Sequence, residues 1–103
     1  MAEQFEYQFE WDPIKAERNA KDHGVTFEQA ATVFLDARLL FQVDEEHGED
    51  EERWVSLGLD KSTRLLVVCH TYREITERSA TIRIFSARKA TRREGKDYGK
   101  QRS

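Results

Sequence analysis

The sequence contains little that would cross-link the chain or hold it in a membrane. Its one cysteine, Cys69, cannot form an intramolecular disulfide, which fits a reducing compartment. No stretch approaches the roughly 20 apolar residues that a membrane span requires. The first residues, MAEQFEYQFEW, carry acidic side chains and lack the apolar core of a secretory signal. We therefore expect a cytoplasmic protein with no membrane partner.

The sequence also lacks internal repeats and any linker rich in glycine, proline or serine. With 103 residues, 36% of them charged and 38% hydrophobic, the chain can bury one modest core but not two. A single domain over residues 1–103 is the expected organisation.

Basic residues are scarce in the first part of the chain, and acidic residues are scarce in the second. Residues 1–60 have a balance of −11 and residues 61–103 a balance of +8, giving the net charge of −3. The segment from Arg88 to Arg102 alone holds seven Lys or Arg against Glu94 and Asp97. Such a chain can present a cationic surface to phosphate despite its acidic pI, although the two halves could instead neutralise each other across the fold.

The N-terminal third has strong local signals for one strand and two helices. FEYQFEW alternates apolar and polar residues as a half-buried strand does. Asp12-Pro13 supplies an N-cap and a first helical position, and Gly24 predicts that this helix ends at about His23. In the next segment, Thr26 and Gln29 form a capping box for a second helix.

From Ala37 onward the apolar period changes to two. Strands are predicted at 38–44, 53–59, 64–73 and 78–86, followed by a terminal helix that Ser86 would cap. Short connections favour antiparallel pairing of successive strands. The expected fold class is α+β, an antiparallel sheet with two N-terminal helices and a C-terminal helix.

Strand alternation assigns side chains to the two faces of this sheet. The helix-covered core should contain alternate apolar residues: Leu39, Phe41, Val43, Val55, Leu57, Leu59, Leu65, Val67, Ile82 and Ile84. The opposite parity gives a mixed aromatic and cationic surface suited to bases and phosphates: Gln42, Glu52, Trp54, Ser56, Arg64, His70, Tyr72, Arg83 and Phe85. Leu66 and Val68 share this second parity, so it stays open whether strand 64–73 is buried on one face or on both.

The predicted start of the terminal helix indicates an anion site. A helix beginning after Ser86 would place Arg88 and Lys89 in its first turn, where the helix dipole disfavours positive charge. Free backbone N–H groups, a hydroxyl and two cations in one turn would suit phosphate. Alternatively, these cations pair with the acidic loop DEEHGEDEE.

Four segments together resemble the BrnT toxin family in order and spacing: FEWDPIKAERNAKDHGVTFEQAATVFLD, EERWVSLG, RLLVVCHTYRE and IRIFSARKATRREGKDY. The resemblance implies a RelE-like fold and an endoribonuclease toxin of a type II toxin–antitoxin system, which inhibits translation. It further implies an antitoxin, BrnA, that neutralises the toxin and binds operator DNA. Asp22 and His70 depart from the expected pattern.

The implied reaction is attack of an RNA 2′-hydroxyl on the adjacent phosphate, which requires neither metal nor cofactor. Cations that stabilise the transition state typically contribute most. The candidates for clamping phosphate are Arg64, Arg73, Arg83 and Arg88, and those for binding RNA are Lys89, Arg92, Arg93, His70 and Tyr72. The candidates for proton transfer are His23, His47, His70, Glu52 and Tyr98.

Two alternatives compete with catalysis by such a site. A metal centre is disfavoured, because Cys69 and His70 point to opposite faces of a strand and the other histidines lack paired ligand spacing. A non-catalytic module that binds nucleic acid or a protein partner would use the same basic residues. Cleavage of RNA in EDTA would distinguish the enzyme from this module.

Overall fold

A computed structural model describes residues 5–44 and 52–100. The elements follow one another as β1 (Glu6–Glu10), α1 (Pro13–His23), α2 (Phe27–Ala31), a 3₁₀ helix (Thr32–Leu35), β2 (Leu40–Val43), β3 (Arg53–Leu59), β4 (Leu65–Thr71), β5 (Arg73–Thr76), β6 (Ser79–Lys89) and α3 (Arg92–Lys100). The fold is therefore a mixed α+β arrangement of a six-stranded sheet and helices. Within the described ranges, no helix has the length and apolar character needed to cross a bilayer.

The sheet has the strand order β1-β6-β4-β3-β2, with β5 also paired to β6. All pairs are antiparallel except β1 with β6, which run parallel with Phe9 opposite Ile82. The expectation of a wholly antiparallel sheet was wrong for this pair, because β1 joins a strand distant in sequence and no hairpin fixes its direction. The predicted strand 64–73 is also interrupted at Tyr72, and the register between β4 and β6 shifts between Cys69 and His70, because β6 carries an extra residue there.

Local signals set both ends of α1 as predicted. The Asp12 carboxylate accepts a hydrogen bond from the Ile14 N–H at 2.9 Å. Gly24 ends the helix with φ of 68°, a conformation that costs glycine little, and its N–H donates to the Ala20 carbonyl. Asn19 then ties α1 to the sheet, because its side-chain amide bonds both the N–H and the carbonyl of Ala87.

The predicted capping box starts α2. The Gln29 N–H donates to Thr26 Oγ1, and the Gln29 side chain accepts from the Thr26 N–H, each at 3.0 Å. The predicted single helix nevertheless continues from Thr32 as a 3₁₀ turn. This turn buries Val33 and Phe34 against the sheet.

We call the side of the sheet that carries α1, α2 and the 3₁₀ helix the helix face. Its core is formed by ten buried residues: Val25, Phe27, Ala30, Val33, Phe34, Leu66, Val68, Ile82, Ile84 and Ala87. Ile82 and Ile84 were predicted there. Leu66, Val68 and the fully buried Ser56 replace the predicted Val67, Val55 and Leu57.

The assignment of faces was therefore wrong for β3 and β4. Val55, Leu57 and Val67 lie on the opposite side, beside Glu94 and Asp97 of α3. Phe41 and Val43 also do not belong to the buried core, being 63% and 39% exposed. Alternation could not decide the parity, because β4 is apolar at consecutive positions and is covered on both sides.

The terminal helix begins five residues later than expected from a cap at Ser86. Residues 86–89 instead continue β6, where Val67 pairs with Arg88 and Leu66 with Lys89. The cap is Thr91, whose Oγ1 accepts from the Glu94 N–H at 3.2 Å. The predicted anion site at Arg88 and Lys89 was therefore wrong, because neither residue lies in a helical turn.

Candidate functional site

Four arginines share the side of the sheet opposite α1 and α2, which we call the arginine face. Arg83 alternates with the buried Ile82 and Ile84 and so points away from the core. Arg73 lies opposite Thr81, two residues from Arg83, on the same side. Arg53 and Arg88 have the parity of Val55 and Val67, which line a groove together with Glu94 and Asp97 of α3 on this side. The face thus consists of Arg53, Arg73, Arg83 and Arg88.

The ring of Phe85 contacts one of these arginines and a lysine of α1. The Arg53 guanidinium carbon is 4.5 Å, and the Lys15 ammonium nitrogen 5.4 Å, from the ring centroid. Phe85 is the extra residue of the bulge, since Cys69 pairs with Ser86 and His70 with Ile84. Each such contact is worth about 0.5–1 kcal/mol at an exposed site. Within residues 5–44 and 52–100, neither Lys15 nor Arg53 forms an ion pair with a carboxylate.

Arg83 and Arg88 do have carboxylate partners, and the two pairs differ in strength. Arg83 Nη1 is 3.7 Å from Glu10 Oε1, and both side chains are largely exposed. Arg88 binds Glu94 through two parallel bonds of 2.8 and 2.9 Å. The Arg88 guanidinium is the main reason that the pKa of Glu94 falls to about 2, and Glu94 in turn raises the pKa of Arg88. Arg88 is therefore held rigidly, whereas Arg83 is free to move.

Glu94 also connects this face to the terminal helix. Its Oε1 accepts from the Thr91 N–H at 2.8 Å, which completes a capping box at the start of α3. No residue of α3 is buried. The orientation of the helix therefore depends on polar contacts such as this one.

Two predicted site residues lie elsewhere, at the corner where α1 ends. Arg64 donates from Nε to Asp60 Oδ2 at 3.0 Å, and its Nη1 is 3.5 Å from the Gly24 carbonyl oxygen. Burial raises the pKa of Asp60, but hydrogen bonds from Arg64 and Ser62 outweigh this effect and lower it. His23, which directly precedes Gly24, is exposed to solvent. The structure thus separates Arg64 and His23 from the arginine face.

Tyr98 is occupied in holding α3 to the body of the protein. Its hydroxyl donates to Asp36 Oδ2 at 2.6 Å, and the same oxygen accepts from the Leu59 N–H. Although burial raises the pKa of Asp36, these hydrogen bonds lower it overall. Leu59 is six residues along β3 from Arg53, or about 20 Å. Tyr98 therefore lies far from the Phe85 end of the arginine face.

His70 was expected on the RNA-binding surface, but the structure places it in the core, only 2% exposed. Its Nδ1 is 2.9 Å from the Thr71 carbonyl oxygen and must donate the proton there, so Nε2 accepts from the Ser56 hydroxyl at 2.7 Å. Burial lowers the pKa of His70. The expectation was wrong because His70 has the parity of Leu66 and Val68, which face the helices.

The remaining predicted residues are exposed: Tyr72, Glu52, Lys89, Arg92 and Arg93. Tyr72 lines a pocket on the helix face rather than the arginine face. Lys89 ends β6, and Arg92 and Arg93 open α3. His47 lies outside the described residues. Across residues 5–44 and 52–100, no three His, Cys, Asp or Glu side chains are grouped as metal ligands.

The predicted site thus keeps Arg73, Arg83 and Arg88 and lacks three residues that the structure adds. Lys15 and Arg53 were not predicted to act in the site, and Phe85 was expected only as part of an exposed surface. Lys15 comes from a helix far away in sequence, so alternation along the strands gives no sign of it. Arg53 directly precedes Trp54, and a correct parity for β3 would have placed it on the same face of the sheet as Arg83.

Comparisons with known proteins give one family match and one similar fold. Residues 11–94 match the family described as the ribonuclease toxin, BrnT, of type II toxin–antitoxin systems. The 1.1 Å crystal structure of the Brucella abortus ribonuclease toxin BrnT is similar in fold, with a TM-score of 0.55 and 18% sequence identity. The alignment covers 84% of this chain and all of that one. No protein of curated function matches the sequence.

Proposed function

The chain belongs to the BrnT family of ribonuclease toxins of type II toxin–antitoxin systems, and from this premise we propose that it cleaves RNA on its arginine face. The observation that carries this proposal is the placement of Arg53, Arg73, Arg83 and Arg88 on one side of the sheet, with the Arg53 guanidinium carbon 4.5 Å from the centroid of the Phe85 ring. Phosphate requires cations, and a half-buried aromatic ring beside them suits an unpaired base.

We propose transesterification as the reaction. The ribose 2′-oxygen forms a bond to phosphorus while the bond to the 5′-oxygen breaks, leaving a 2′,3′-cyclic phosphate and a 5′-hydroxyl. Negative charge accumulates on the non-bridging oxygens in the transition state. Arg53 and Arg83 supply positive charge there, and stabilisation of developing negative charge typically accounts for the largest share of catalysis. No step needs a metal.

Proton transfer is the second part of the proposal. A base must take the 2′-hydroxyl proton, and an acid must supply one to the leaving oxygen. Glu10 is the carboxylate that the sheet register places opposite Arg83, and it is 57% exposed. We assign it the role of base, in preference to the predicted Glu52. Lys15 is the cation nearest to Phe85 that carries a transferable proton.

The proposed biological role follows from the family. A type II toxin has an antitoxin partner, here the expected BrnA, and the active toxin would inhibit translation in the cytoplasm by cutting RNA. An antitoxin that covers the arginine face with acidic side chains would exclude RNA and would associate rapidly at low salt. The complex would bind operator DNA through the antitoxin. The sheet and helix arrangement supports a RelE-like interpretation of the fold.

One assay tests the enzymatic proposal. Purified protein is incubated with single-stranded RNA in EDTA, and the products are examined for cyclic phosphate, with DNA of the same sequence as control. We expect shortened RNA, intact DNA and cyclic ends. RNA that is bound but not cut would instead identify a non-catalytic binding module.

A matched pair of variants tests the base. Glu10→Gln should reduce the cleavage rate by at least about tenfold, because general base catalysis typically contributes ~10²–10⁴. Glu52→Gln should leave it within about twofold. The reverse result would assign proton transfer to Glu52.

A further inference from the structure

A second concave site lies on the helix face, beyond the 3₁₀ helix. It is a pocket of about 290 Å³ between β1, β2, β3 and the start of β5. Five of its lining residues are aromatic: Tyr7, Phe34, Phe41, Trp54 and Tyr72. The arginines of the proposed active site are on the other side of the sheet, so this pocket has no part in that reaction.

The aromatic rings form two walls. On one side, Phe41 and Trp54 stand 5.5 Å apart between centroids at an angle of 60°. On the other, Tyr7 and Phe34 are 5.9 Å apart at 50°. The rings of Phe41 and Tyr72 remain 63% and 41% exposed at the mouth. A large aromatic surface is thus exposed to solvent. Its burial by a ligand or partner would be favourable.

The floor of the pocket is polar but already satisfied. Ser56 donates to His70 Nε2, and His70 donates from Nδ1 to a backbone carbonyl. Both side chains are almost fully shielded from solvent. An occupant is therefore selected by the rings and by the charges around the mouth rather than by the floor.

Those charges favour a cation. None of the described lining residues carries a charge. Glu74 follows Tyr72 by two residues and pairs with the buried Ala80, so it lies on the helix face, and Glu52 directly precedes β3, two residues before Trp54. The pKa of Tyr72 is raised by burial and further by Tyr7 and Glu74, which agrees with a Glu74 carboxylate near the mouth.

We propose that this pocket receives a lysine or arginine side chain of the antitoxin. Faces of several aromatic rings attract a cation, and the two carboxylates add to that attraction. A nucleotide is disfavoured, because its phosphate would meet Glu52 and Glu74 without a cation lining the pocket. The identification of the partner as the antitoxin rests on the proposed function. The preference of the pocket for a cationic side chain does not.

The first test measures that preference with small probes. Acetyl-arginine-amide is titrated into the isotopically labelled protein, and the Trp54 indole N–H resonance is followed by NMR. Three matched probes are compared: acetyl-citrulline-amide, acetyl-norleucine-amide and uridine monophosphate. We expect saturable shifts with the arginine probe and at least about fivefold weaker binding of the neutral isostere citrulline.

Either of two results would overturn the proposal. Norleucine or the nucleotide could bind as tightly as arginine, which would exclude a cation site. Alternatively, no probe could shift Trp54, which would exclude a site altogether. Glu74→Gln, an exposed change, should weaken arginine binding severalfold and leave norleucine binding unchanged.

The second test uses the complex with the antitoxin. Phe41→Leu and Glu74→Gln should each raise its dissociation constant by about tenfold or more, while RNA cleavage by the free toxin remains as in the wild type. Unchanged affinity in both variants would overturn the role in antitoxin binding. Because cleavage is measured on the same proteins, failure of the proposed enzymatic function would be seen separately from failure of the pocket.

Discussion

The two faces of the sheet use side chains in opposite ways. On the helix face, Phe34 contacts the rings of Tyr7, Phe9 and His70 and is 8% exposed. On the arginine face, Arg83 makes one 3.7 Å ion pair and remains 43% exposed. Burial on the first face stabilises the fold, and loosely held cations on the second remain available to a ligand. Variants on the two faces should therefore affect different measurements.

The largest effect should come from Phe34→Ala. Removing a buried aromatic side chain leaves a cavity and typically costs about 3–5 kcal/mol. In a domain of this size such a loss lowers Tm by about 12 °C or more. Thermal and urea unfolding measure it.

The neighbouring residue provides the control. Leu35 is 82% exposed on the same 3₁₀ turn, so Leu35→Ala should change stability by less than about 0.5 kcal/mol. Equal effects of the two substitutions would contradict the packing described for the helix face.

The next largest effect concerns the arginine face and appears in catalysis alone. Arg53→Ala and Arg83→Ala should each slow RNA cleavage by about 10- to 100-fold, or about 1.4–2.7 kcal/mol of transition-state stabilisation. Tm should stay within about 2 °C, because both side chains are half exposed and contribute little to the core. Arg18→Ala, an exposed arginine of α1, is the control and should cleave normally.

A result against this prediction would be equally informative. Wild-type cleavage by both variants, with Tm lowered, would show that the arginines support the fold and that RNA is cut elsewhere. The contrast between the faces would then be lost.

The accuracy of sequence-based prediction also differs between regions. Asp12, Gly24 and the Thr26–Gln29 capping box set helix ends through contacts a few residues apart, and all were confirmed. The start of the terminal helix was not, because residues 86–89 have acceptable helical propensity but pair with β4 instead. Helix ends depend on neighbours in sequence, whereas this strand depends on a partner some twenty residues away.

The second failure was the assignment of β3 and β4 side chains to the two faces of the sheet, and the predicted site depended on it. Since β4 reads LLVVC, both of its faces are apolar, and the sequence alone did not show which face meets the helices. The wrong choice placed His70 on the exposed surface and left Arg53 out of the candidate site. Arg83 was assigned correctly, because Ile82 and Ile84 fix the parity of β6 without ambiguity.

A smaller effect is expected from the connection between the arginine face and α3. Glu94 has a pKa near 2 in the folded protein against an ordinary value of 4.5, with Arg88 the main cause. Because the folded-state pKa is the lower one, this contribution to stability is present above pH 4.5 and is lost as the pH falls toward 2. Arg88 is 43% exposed, and solvent screening limits the contribution to about 1 kcal/mol.

Glu94→Gln measures this contribution. At pH 7 the variant should be about 1 kcal/mol less stable than the wild type, and the difference should shrink between pH 4.5 and 2. Asp97→Asn is the control, since Asp97 is half exposed and pairs only loosely with Lys100 at 3.8 Å. A difference that is independent of pH would show that Glu94 stabilises the helix by packing rather than by charge.

The smallest effect should come from Arg64→Ala, which tests whether the site is confined to the arginine face. Arg64 belongs to the motif that suggested a phosphate clamp, yet its Nε is bonded to Asp60 and its Nη1 points to the end of α1. Its loss removes about 1 kcal/mol of hydrogen bonding, partly offset because Nη2 is buried without a partner among the described residues. Cleavage should remain within about threefold of wild type, against the tenfold or greater loss expected for Arg83→Ala. If Arg64→Ala instead slows cleavage tenfold at unchanged Tm, RNA must extend around the edge of the sheet to the corner that holds His23, and the active site would include both places.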